Sequence, residues 1–239
     1  MSNRIHDISI HHLAKVAGFG YLIIFITGIF ANFFVLENLV VAGDAEMTAR
    51  NIIENDFLFR LGILSFIIMV VFDVLLAWAL YVLFIPVNQI LSLLSGWLRL
   101  VNSAIFGIAL YNLFSILNVL SNAEYTKVFD TGQLYARAML FLDMFNDTWL
   151  IGLIFFGFHL FVLGYLIFKS GYISKMIGLL LIVAAMGYLI DSCAHLLLPN
   201  YADYKGFFTL IVLIPGIIGE LSLTFWLLFK GGKIPVMNS

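Results

Sequence analysis

The chain has 239 residues, 63% of them hydrophobic and 11% charged, with a net charge of −2. A water-soluble domain carries about 25% charged residues, so this chain lacks the polar surface to be one, and with no basic stretch it offers nucleic acid no docking face. A single cysteine, Cys193, excludes an internal disulfide and a cysteine-rich metal cluster.

Residues 1–12 are polar. The apolar run from Val16 to Leu36 is longer than the hydrophobic region of a cleaved signal peptide, so it reads as an uncleaved first span. A bilayer crossing takes about 20 apolar residues. Six segments qualify: 15–36, 61–85, 97–120, 149–168, 176–198 and 207–229. Pro86 and Pro199 end the second and fifth, and Lys-Ser-Gly and Lys-Gly-Gly end the fourth and sixth. The stretch ahead of the third, Ile90 to Trp97, reads as lying along the membrane interface. Asp44 is an N-cap for a short helix over 45–55, with Glu46 in the first turn where the helix dipole favours an anion. Tyr135, Met139 and Leu142 recur at helical spacing and predict a second short helix over 132–146. Both read as connecting helices on the outer face.

The expected architecture is all-α: one polytopic membrane domain over 1–239 with six transmembrane helices. Of the 12 Lys and Arg residues, seven (Arg4, Lys15, Arg99, Lys169, Lys175, Lys230 and Lys233) fall on the side of the termini. That bias predicts both termini in the cytoplasm. Trp78, Trp97 and Trp226 fall near the inner boundary and Trp149 near the outer, as an aromatic belt requires. A bacterial plasma membrane is the expected location. Membrane lipids and a small or lipid-like ligand are the expected partners. The sequence sets no oligomeric state.

Five ionisable residues lie inside the spans: Asp73, His159, Asp191, His195 and Glu220. A central Asp costs about 2.5–3.5 kcal/mol to insert, so such residues call for internal partners and mark function. His159 and Glu220 are each ten residues from the lysine that ends their span, about 15 Å at 1.5 Å per residue. Asp73 sits midway between Arg60 and Pro86, at the same level. Asp191 is sixteen residues from Lys175, about 24 Å, and His195 is one turn beyond on the same helix face. A central layer and an outer layer result.

Three readings follow. His159, Asp191 and His195 are ligand types for zinc, with Glu220 or Asp73 handling protons, in a metal-dependent hydrolase acting on a lipid-like substrate. The same residues at staggered depths suit a proton or ion relay, or a small-ligand transporter. They also suit a structural network, in which Asn102, Asn112, Ser65, Ser115 or Tyr188 pair with them and fix helix register. Arg60 and Arg99 read as interface anchors. Pro215-Gly216 interrupts the sixth span just ahead of Glu220 and frees a carbonyl one turn earlier.

Several motifs in order carry a resemblance. They are Leu58-Phe59-Arg60-Leu61-Gly62, the Asp73 span closing on Pro86-Val87-Asn88, and Phe155-Phe156-Gly157-Phe158-His159 with Leu163-Gly164-Tyr165-Leu166. The last is Gly187-Tyr188-Leu189-Ile190-Asp191-Ser192-Cys193-Ala194-His195 with Leu196-Leu197-Leu198-Pro199. Together, from about Leu13 to Lys230, they resemble the bacterial membrane family catalogued as domain of unknown function 4386. The resemblance implies a six-span helical fold and no assigned activity. Its recurring positions match Arg60, Asp73, His159, Asp191, His195 and Glu220, without giving any of them a role.

Overall fold

The computed structural model describes residues 10–121 and 123–231, and these are helical with short connections and no strand. Arg4 and Lys233, used in the orientation count, lie outside the described residues.

The first helix, α1 (Ile10–Ile29), runs into a π-helical stretch (Phe30–Leu36), where the N–H of Glu37 donates to the carbonyl of Asn32, and closes on Glu37–Leu39. Then follow α2 (Ala45–Glu54), α3 (Asp56–Phe84), α4 (Gln89–Ser121), α5 (Ala123–Val128), α6 (Thr131–Ser170), α7 (Lys175–Leu197) and α8 (Tyr201–Lys230). Six of these segments are long and apolar enough to cross a membrane: Ile10–Leu39, α3, α4, α6, α7 and α8. The protein is an all-helical, multi-pass membrane protein.

Local chemistry explains the ends. Asp44 Oδ1 accepts from the N–H of Met47 at 2.8 Å and starts α2 as expected. Thr48 and Asn51 tie α2 back to the chain before it, through Val41 and the carbonyl of Leu39. Pro86 closes α3 because the residue before a proline is pushed out of the helical region. Asn88 Oδ1 then accepts from the N–H of Leu91 at 2.9 Å and caps α4. Gly171, at φ +74°, turns the chain out of α6.

Two sequence expectations change. Ile90 to Trp97 is not a segment apart from the third span but the first turns of α4, with Ser92 and Ser95 buried and the Ser92 hydroxyl donating to the carbonyl of Tyr81 at 2.7 Å. Residues 132–146 do not form a separate helix but the first half of α6, which runs for 40 residues. No proline and no glycine falls between Gln133 and Ile151, so nothing in the backbone stops the helix. At 1.5 Å per residue 40 helical residues amount to about 60 Å, about twice the length needed to cross a hydrocarbon core of about 30 Å.

The chain gathers into two compact units. One comprises Ile23–Val71 and Ser103–Ile151. Its core holds an aromatic cluster in which Trp149 stacks on Phe106 at 3.6 Å between ring centroids and meets Phe66 and Phe145 at 5.1 and 5.3 Å. The other comprises Met1–Leu22, Phe72–Asn102 and Gly152–Ser239, and it holds every sequence-predicted site residue. Within it α6 and α7 cross closely at Gly164 and Gly178. A Cβ at either glycine would stand 2.7 Å from the other's carbonyl oxygen. α7 and α8 form an antiparallel hairpin, and Gly187 admits the carbonyl of Ile211 to the place a Cβ would take, at 2.7 Å. Pro215 lies four residues after Ile211 and has no N–H to offer that carbonyl.

Candidate functional site

The centre of the second-described unit is an arginine. Arg99, ten residues into α4, is 1% exposed. Its Nη2 donates to Asp73 Oδ1 of α3 at 2.5 Å, and its Nη1 lies 3.0 Å from Nε2 of His159 on α6. The guanidinium is held between two rings, 5.1 Å from Tyr21 of α1 and 5.4 Å from Phe156 of α6. Asn102, one turn along α4, brings Nδ2 to 3.5 Å from the other Asp73 oxygen. Asp73, Asn102 and His159 are all buried.

This geometry settles the state of His159. A guanidinium has only N–H groups to offer, so Nε2 accepts from Arg99. The other ring nitrogen, Nδ1, carries the proton and donates to the carbonyl of Ser95 at 2.9 Å, with the Ser95 hydroxyl at 3.0 Å. His159 is thus a neutral imidazole with both nitrogens engaged. It can bind a metal only by giving up one of these contacts.

Glu220 of α8 is 8% exposed and lies within electrostatic reach of Arg99 and Asp73. Among the described residues its carboxyl group has no hydrogen-bond partner, and neither has Oδ1 of Asn102. Tyr188 of α7 lies within reach of both Glu220 and Asp191, with its ring edge-on to Phe156 at 5.3 Å. Asp73, His159 and Glu220 therefore share one neighbourhood, as counting from the span ends predicted.

Asp191 and His195 form a second group at the far end of α7. Tyr201, the first residue of α8, donates its hydroxyl to Asp191 Oδ1 at 2.6 Å, and its ring centroid is 4.4 Å from that of His195. Among the described residues no three His, Cys, Asp or Glu side chains are grouped so as to hold a metal ion. The hydroxyl of Ser192, between these two residues in sequence, is buried with no partner among the described residues.

Sequence reasoning missed Arg99 and Tyr201. An arginine beside Trp97 reads as an interface anchor, but α4, capped at Asn88, starts at Gln89 and sets the depth of Arg99 at ten residues, about 15 Å, the same as His159 and Glu220. Ser92, Ser95, Arg99 and Asn102 also recur at three- and four-residue spacing, a polar stripe on one helix face that was present to be read. Arg60, by contrast, is an exposed residue paired with Asp56 at 2.7 Å.

A domain of unknown function (DUF4386) matches residues 16–231. An uncharacterised protein of the archaeon Archaeoglobus fulgidus is 36% identical over 173 residues, covering 72% of this chain and 85% of that one. No solved structure matches. With the match running over nearly all the described residues and every element of the site within it, the chain belongs to the DUF4386 family.

Proposed function

We propose that this membrane protein is a proton relay, with Glu220 as the proton-carrying group and the Asp73–Arg99–His159 cluster as its fixed electrostatic frame. The observation that carries this reading is the carboxyl of Glu220, without a hydrogen-bond partner among the described residues, within electrostatic reach of the Asp73–Arg99 ion pair. One guanidinium faces two carboxyl groups, so the cluster is neutral when one carboxyl holds a proton and negative when it does not. In a medium that penalises net charge, proton uptake and release at such a carboxyl is what relays use. The route runs along the α7–α8 hairpin, from Glu220 past Tyr188 to Asp191, Tyr201 and His195. With both termini in the cytoplasm of a cell bounded by this membrane, that route opens to the outer side.

The test is proton flux in liposomes holding the purified protein, a trapped pH dye and an imposed potassium diffusion potential. Wild type is expected to acidify the lumen. Glu220→Gln, which keeps shape and loses the proton, is expected to fall to the rate of protein-free liposomes. Wild-type flux no faster than protein-free liposomes sinks the relay.

A second reading is a structural pin, favoured by the mutual satisfaction of Asp73, Arg99 and His159. In that case Glu220→Gln changes no transport property, and replacements in the cluster alter only thermal stability. A metal-dependent hydrolase needs His159 released from Arg99 and brought to Asp191 and His195, and it predicts near-stoichiometric zinc after purification. Neither flux nor zinc leaves the pin.

A further inference from the structure

A cavity of about 420 Å³ opens in the same unit where α3 ends, α4 begins and α6 ends. It is distinct from the Asp73 cluster and shares no residue with it. Lys169, Asn88 and Tyr172 line it, with Leu91, Leu166 and Tyr165. We infer that this notch binds a phosphate group, carried by the headgroup of a membrane lipid or free in solution.

The charge inventory points to an anion. Lys169 has no ion-pair partner among the described residues, and no carboxylate lines the notch. Its ammonium rests 5.8 Å from the Tyr165 ring centroid, which holds it beside the opening. Asn88 uses its side-chain oxygen to cap α4 through Leu91, so the part of its side chain left to meet a ligand is the amide N–H donor. The start of α4 adds the positive end of a 33-residue helix dipole. Tyr172 donates its hydroxyl to the carbonyl of Leu83 at 3.3 Å, and burial pushes its phenol up to about 12, so it adds no negative charge at physiological pH.

Size and place favour the lipid source. The volume lies in the range of organic-ligand pockets, about 300–1,000 Å³, well beyond one phosphate. Leu91 and Leu166 supply an apolar wall for a glycerol or acyl segment, and the notch sits where spans end, at headgroup level.

The experiment uses full-length protein in mild detergent. Thermal unfolding and native mass spectrometry are followed with dioleoyl phosphatidic acid, with dioleoylglycerol lacking the phosphate, and with inorganic phosphate. Phosphatidic acid is expected to raise the unfolding temperature and give one retained adduct per chain, with dioleoylglycerol inert. Lys169→Gln is expected to weaken binding about tenfold, the size of one charge-assisted hydrogen bond. Lys175→Gln, at the neighbouring lysine over Phe168, is expected to bind as wild type. Should Lys169→Gln not fold, Asn88→Asp keeps the helix cap and sets a carboxylate in the notch, and it must likewise lose the lipid. Inorganic phosphate matching phosphatidic acid would support the site with a soluble ligand. Equal binding of dioleoylglycerol, undiminished binding by Lys169→Gln or Asn88→Asp, or no binding of either phosphate would overturn it.

Discussion

Arg99 and Asp73 show why a charge in a membrane span is read by its partner and not by its type. Each alone is costly to bury. Together, with His159, Asn102 and two aromatic rings, both Asp73 oxygens and both terminal guanidinium nitrogens have partners, while Arg99 Nε and Asn102 Oδ1 make no hydrogen bond among the described residues. Removing one partner of a buried pair costs about 3–5 kcal/mol because the other charge is stranded, whereas replacing both by apolar residues of similar size is often neutral. Arg99→Met is therefore expected to lower the unfolding free energy in detergent by about 3–5 kcal/mol, and Asp73→Leu with Arg99→Met to recover most of that loss. Additive losses in this cycle would show that the two side chains do not act as a pair. Asp73, His159 and Glu220 were legible in the sequence because each is a lone polar residue in an apolar run, with its depth fixed by a nearby lysine or proline. Arg99 was hidden because an arginine near a tryptophan is also the signature of an interface anchor. Only the true start of α4 separates the two cases.

Elements are legible to the extent that breakers mark their ends. Pro86, Pro199 and the glycine turn at Gly171 fixed three boundaries from sequence. The uninterrupted α6 was not legible, because periodicity locates an apolar face and says nothing about whether a polar stretch such as Asn146-Asp147-Thr148 breaks the helix. Here Thr148 turns its hydroxyl back to the carbonyl of Met144 at 2.7 Å, and the helix continues. The α7–α8 hairpin carries a sharper test. Pro215 strips the carbonyl of Ile211 of its helical donor, and Gly187 makes room for it. Gly187→Ala drives a methyl against a backbone oxygen and is expected to cost about 1–3 kcal/mol. Adding Pro215→Ala supplies the missing N–H, lets the carbonyl turn back into α8, and is expected to recover part of that loss. Thermal unfolding of the four proteins measures it, and equal losses with and without Pro215 would show that the carbonyl is not the obstacle.

For the whole molecule, an even number of crossings puts both ends on one side, and the Lys and Arg bias of the sequence, six against five once Arg99 is set aside as buried, predicts that side to be the cytoplasm. A green fluorescent protein fused after Ser239 is expected to fluoresce in a bacterial host, and alkaline phosphatase at the same place to stay inactive. The opposite pair of results reverses the orientation and the side to which the Asp191 end opens. The number and order of spans came from composition alone, since hydrophobic length is a property of the sequence. The meeting of α1, α3, α4 and α6 side chains around one guanidinium came only from the fold. That meeting also bears on how the protein is made. Asp73 and Arg99 lie on consecutive spans joined by a four-residue link, 85–88. A ribosome delivers α3 first, and a lone Asp disfavours its partition from the translocon into lipid by about 2.5–3.5 kcal/mol. If α3 waits for α4, the two leave as a hairpin whose opposite charges are already joined. The ion pair then acts as a biogenesis signal before it has any part in the finished protein, and truncating the nascent chain after Asn88 should leave α3 less efficiently integrated than the same helix carrying Asp73→Leu.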